Sequence, residues 1–206
     1  TDGGGGVFNN GGTLVLNSNT QITNNSATGS AGSGGGVFST AGSVTIDAVN
    51  ISNNDAIRAG GGIEAIDGTL TITNTTLNSN TTGAAPGNGG GLHITGVANA
   101  NITGGTVNFN TAAREGGGLW NGSGVMTVDG TTIDGNVASG AAADDGGGGI
   151  FNNGGTLNVQ NNTTISNNIA DGASGSGGGI LTIGGTVTID GSSIVVNQAN
   201  RAGGGI

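Results

Sequence analysis

The chain has 206 residues, 49 of them Gly, with no Cys or Tyr, three basic side chains in all and a formal charge of −9. Three arginines exclude a phosphate-binding face, which needs clustered Lys and Arg. No run reaches the ~18 apolar residues of a membrane helix, and charged residues at 7% with aliphatics in strict register exclude a disordered polyampholyte.

Read from the start, one phrase recurs. Three or four Gly lead into an aliphatic anchor, at Val7, Val37, Ile63, Leu92, Leu119, Ile150 and Ile180, and Ile206 opens an eighth copy. Successive anchors are 30, 26, 29, 27, 31, 30 and 26 residues apart. A short period-two stretch follows each anchor, such as Val44/Ile46 or Leu157/Val159, the signature of a strand with one buried face. A third stretch has the form [ILV]-x-x-N. Its Asn falls at Asn25, Asn54, Asn80, Asn110, Asn136, Asn168 and Asn197. Gly, Asn and Thr between these stretches are poor helix formers.

Self-similarity at this period marks a solenoid, because three short strands cannot form a core until coils stack. The expected fold is all-β: a three-sided, right-handed parallel β-helix of about seven coils of 26–31 residues, uncapped at both ends. The handedness follows the general rule for parallel crossovers. At ~4.8 Å per coil the stack would be roughly 34 Å long. Residues 1–63 align without a gap to 144–206, with 38 of 63 positions identical. The chain is therefore read as one segment, 1–206, of a longer array with a superrepeat of 143 residues. Variation in length gathers between the Asn and the next anchor. The short versions carry Arg58, Arg114 and Arg201, read as corner caps that bond nearby carbonyls or acids.

The pairing of GGG-[VIL] with [ILV]-x-x-N resembles the GGA-[ILVY] and FxxN repeats of polymorphic outer-membrane proteins, which are autotransporter passengers. It is also similar to the right-handed parallel β-helix repeats of large bacterial surface proteins. Here Gly stands for the family's Ala, and Ile, Leu or Val for its Phe. The resemblance covers the whole chain and implies a secreted, surface-displayed, structural or adhesive passenger.

Side-chain chemistry narrows the function further. The Asn column is read as a structural ladder, each amide bonding its counterpart in the next coil. The residue after each anchor forms a second column: Phe8, Phe38, Glu64, His93, Trp120, Phe151 and Leu181. With the anchor inward, alternation turns this column outward, where aromatics contact glycans or partner proteins unless flanking loops cover them. The candidate contact residues are Phe8, Phe38, Glu64, His93, Trp120 and Phe151.

Outward Thr on the second strand, at Thr13, Thr69, Thr71, Thr127 and Thr188 among others, suggests an ice-binding grid, broken by Val15, Asn99 and Asn158. Asp144 and Asp145 are the one adjacent acid pair that calcium could use, yet calcium needs six to eight oxygens. No metal or cofactor is expected. Nor is catalysis: one acid–base pair, Glu64 with His93, on a convex strand lacks a cleft. The chain is thus expected to be a non-enzymatic extracellular or cell-surface rod or fibre whose service is adhesion, the alternative being a carbohydrate-binding module that uses the aromatic column. Its expected partners are copies of itself, end to end or side by side, and glycans or a host surface, with neither nucleic acid nor membrane insertion.

Overall fold

The computed structural model describes residues 3–84 and 86–206. Within it the chain winds into seven coils that stack in register, with no helix among the described residues. The second coil serves as the pattern, with strands Val37–Ser39, Ser43–Asp47, Asn50–Ser52 and Asp55–Ala56. Each of these pairs in parallel with its equivalents one coil before and one coil after. The result is four seven-stranded parallel sheets.

Three strands per coil were expected, and the structure corrects this to four. The stretch [ILV]-x-x-N is not one strand. Its third position takes a left-handed backbone in every coil: Asn24, Asn53, Ser79, Phe109, Gly135, Asn167 and Val196, with φ between 53° and 64°. That residue ends the third strand and turns the chain, so the ladder Asn stands at a corner and a two-residue fourth strand follows it. Asn and Gly populate this conformation at little cost, which is why the corner is rich in them.

The anchors, both apolar positions of the second strand and the apolar residue of the third converge on one core. Val37, Ile46, Ile51, Leu77, Leu92, Leu119, Met126, Ile133 and Ile150 are fully enclosed. Each such side chain contributes ~1.5–3 kcal/mol on burial, and because columns run through all coils the core is continuous along the axis.

The glycine arc is the least strand-like part. In an ordinary parallel strand, successive N–H groups point to opposite neighbours. Here Gly34, Gly35, Gly36 and Val37 all donate forward, to the carbonyls of Ala59, Gly60, Gly61 and Gly62. The same four bonds recur at every junction, from Gly4–Val7 on to Gly177–Ile180. The first arc glycine makes this possible with its positive φ, +61° at Gly34. The third has no room for a side chain. A Cβ on Gly36 would come within 2.6 Å of the Gly62 carbonyl oxygen and 3.1 Å of the Asn54 amide nitrogen.

Candidate functional site

Two columns carry the side chains with chemistry, and they lie on opposite flanks of the glycine arc. The first is the Asn ladder. Asn54, Asn80, Asn110, Asn136 and Asn168 are enclosed almost completely, while Asn25 and Asn197 in the terminal coils are half-buried. From Asn54 to Asn197, each Oδ1 accepts twice from the preceding coil. Asn136 Oδ1 takes the Asn110 amide N–H at 2.9 Å and Asn110 Nδ2 at 3.0 Å. From Asn54 to Asn168 each Nδ2 donates twice, and Asn136 Nδ2 reaches Asn168 Oδ1 at 2.9 Å and the Val107 carbonyl at 2.8 Å. The amide-to-amide bond itself runs unbroken from Asn25 to Asn197. These buried amides thus have their donors and acceptors engaged, the condition under which a buried polar group stabilises rather than costs.

The second column is the residue after each anchor. Alternation does turn it away from the core, yet it is not open to solvent. Phe38, Glu64, His93, Trp120 and Phe151 are all at least nine-tenths enclosed, and only Phe8, in the first coil, stands 48% exposed. Of the two alternatives left by the sequence, an exposed stripe or covered rings, these five residues take the second. The link from the fourth strand to the next arc runs along this face, with Gly3 against the Phe38 ring and Glu115 bonded to Trp120. A Cβ on Gly3 would fall inside the Phe38 ring, and one on Gly89 or Gly116 would press on His93 or Trp120. The rings stack on one another along the axis: Phe8 on Phe38 at 5.4 Å, His93 on Trp120 at 4.2 Å and Trp120 on Phe151 at 6.0 Å between centroids.

No family model matches this sequence, and neither the curated proteins nor the solved structures contain a match to it. The parallel β-solenoid therefore rests on the strand pairing itself.

Within the covered column the structure joins Glu64 and His93, as the sequence suggested. His93 Nδ1 lies 2.7 Å from Glu64 Oε2, with both side chains buried. The contact lacks the geometry of a formed hydrogen bond, and both Glu64 oxygens lack a hydrogen-bond partner among the described residues. One coil on, Trp120 Nε1 donates to Glu115 Oε2 at 3.0 Å. Burial raises the Glu115 carboxyl above its ordinary range, against the pull of the Trp120 bond and the Arg114 charge. Arg114 Nε in turn donates to Asp145 Oδ1 at 2.8 Å. That bond and the Asp145 charge raise the guanidinium further.

Two of the three arginines bond an acid or a carbonyl of another loop, Arg114 and Arg201, whereas Arg58 meets a hydroxyl. Arg201 Nη1 donates to the Ala143 carbonyl at 2.7 Å, and Arg58 approaches the Ser33 hydroxyl at 3.4 Å. Asp145 has its second oxygen bound by the Ala142 amide at 2.8 Å, so the Asp144–Asp145 pair does not offer two free carboxylates. Among the described residues no three metal-binding side chains converge.

Two features escaped the sequence reading. A second polar ladder lies inside the first sheet, two residues after the anchor: Asn121 Nδ2 donates to Asn152 Oδ1 at 2.7 Å, and Asn152 Nδ2 to Thr182 Oγ1 at 3.2 Å. Its signal was present, since this inward position holds Asn9, Ser39, Asn121, Asn152 and Thr182 where Ala65 and Ile94 are apolar. The other is Phe109, the one Phe outside the aromatic column, which is 58% exposed. Only the turn at the ladder Asn, invisible as a strand break in the sequence, places it at a corner.

Proposed function

We propose that this chain is a structural extracellular β-solenoid, displayed on a bacterial surface or built into a fibre, whose service is adhesion. The observation that supports it best is the identity of the joint between coils. The same four arc bonds and the same Asn amide pair recur at each junction, so one coil accepts the next without a specialised partner. Such a joint suits an array extended coil by coil, as in repeat proteins whose stability is a sum of nearest-neighbour terms.

In this reading the coil is right-handed and uncapped, the 143-residue superrepeat continues beyond 1–206, and open edges pair with further coils or with copies of the chain. The acidic surface limits lateral collapse and binds no nucleic acid, and the segment inserts in no membrane. No catalytic role, metal or cofactor enters it. Electron microscopy of the natural material tests the proposal. Long rods with a ~4.8 Å axial repeat, modulated every five coils, are the expected result. Compact particles without axial order would overturn it.

A further inference from the structure

Seven residues hold the left-handed corner before the ladder Asn, and five of them are Asn, Ser or Gly. Phe109 is the largest exception, at φ 53°. A bulky side chain in that conformation is disfavoured, and strain of this kind gathers at functional positions. The ring does not recover the cost by burial, since 58% of the residue remains exposed. On one side the ring fits closely to the next coil. Gly135 occupies the equivalent corner there, and a Cβ on it would come within 2.6 Å of Phe109 Cε1 and 2.7 Å of Cδ1. The absence of a side chain at Gly135 thus gives the ring its seat, so two successive coils depart from the Asn pattern in a matched way.

The surroundings are polar and able to bond hydroxyls. In the third sheet Asn78, Asn108 and Asp134 stand side by side on the outward face, next to the corner. Asn108 Oδ1 is covered and has no hydrogen-bond partner. Asp134 is held by one oxygen: its Oδ1 accepts from Ser166 Oγ at 2.6 Å and Asn167 Nδ2 at 2.7 Å. Its Oδ2 receives no bond among the described residues, so it can accept one from outside.

We propose that Phe109 is a saccharide-stacking platform, flanked by Asn78 and Asp134 as hydroxyl partners. The negative face of an aromatic ring attracts the weakly positive C–H face of a pyranose, while carboxylate and amide oxygens accept from its hydroxyls. A neutral glycan fits better than a protein partner. The site is a single ring set among polar groups, without the contiguous apolar patch that protein docking uses. A net charge of −9 disfavours polyanions. The ligand class belongs to the adhesive rod proposed above and rests on that reading.

Affinity electrophoresis of the 206-residue chain tests it, through gels containing hydroxyethyl cellulose, arabinoxylan, galactomannan or glycol chitin. At least one polymer is expected to slow the wild-type chain. Phe109→Asn should weaken that apparent affinity ten-fold or more, Phe109→Tyr should retain it, and Phe109→Asn should melt no lower than wild type. Lack of retardation by all four polymers would overturn the platform, as would retardation that survives Phe109→Asn. A lower melting midpoint for Phe109→Asn would assign the ring to packing and overturn it too. Rods seen by microscopy without retardation would remove only the platform; retardation without rods would remove only the fibre.

Discussion

An Asn amide at the centre of this stack has four bonds to satisfy and finds four partners. Its own coil cannot supply them; the coils before and after do. Replacing Asn136 with Ala would strand the Asn110 amide N–H and one Asn110 Nδ2 hydrogen, and would leave the Val107 carbonyl without its donor. An unsatisfied buried group costs ~1–3 kcal/mol. Asn136→Ala is therefore expected to lower stability by at least ~3 kcal/mol, read from urea unfolding. Asn25→Ala should cost less, because Asn25 is half-exposed and its Oδ1 accepts no bond among the described residues. Equal losses at both positions would mean that the ladder does not work through buried satisfaction.

The strands owe their arrangement to the elements that interrupt them. Corners are set by left-handed residues, at Ala48, Asn74 and Gly130 between the second and third sheets, and at Asn53 or Gly135 between the third and fourth. The arc is set by glycines that let peptide groups of adjacent coils approach with all four N–H groups aligned. At Gly118 a Cβ would stand 2.6 Å from the Gly149 carbonyl oxygen and 3.1 Å from Asn136 Cγ. Gly118→Ala is accordingly expected to destabilise by ~1–3 kcal/mol, the usual cost of overpacking. The matched control is Gly12→Ala, where the only near atom is the exposed Asn9 Oδ1 at 3.1 Å, and little change in melting midpoint should appear. Glycine at the third arc position thus has a local cause: it lies against the Asn ladder.

On the scale of the whole molecule, every sheet joins a coil only to its immediate neighbours. Stability should then be close to a sum of coil and junction terms. Removing residues 147–176, so that Gly146 runs into Gly177, preserves the register of all four sheets and brings Asn136 beneath Asn197. The shortened chain is expected to fold with an unchanged β-sheet circular dichroism spectrum. Its denaturant dependence should be about one seventh smaller, in proportion to the surface exposed on unfolding. Loss of folding would show that the coils are not interchangeable, and that long-range contacts such as Arg201 with Ala143 carry more than a local share.

Period, anchor and alternation alone determined that this is a parallel β-solenoid of about seven coils, because a coil that cannot bury its aliphatics must stack. They also located the Asn ladder, since only stacking satisfies an amide at the same place in every coil. The number of strands per coil was decided by backbone conformation. A left-handed turn at residues as different as Asn53, Phe109 and Val196 breaks one apparent strand into two, and no residue type announces it. Burial of Phe38, Trp120 and Phe151 was likewise a tertiary outcome. Alternation gives the side of a strand on which a ring lies, but the link that runs along that side is placed by contacts between coils. The same geometry leaves Phe109 exposed at a corner, where Gly135, from the next coil, supplies its seat.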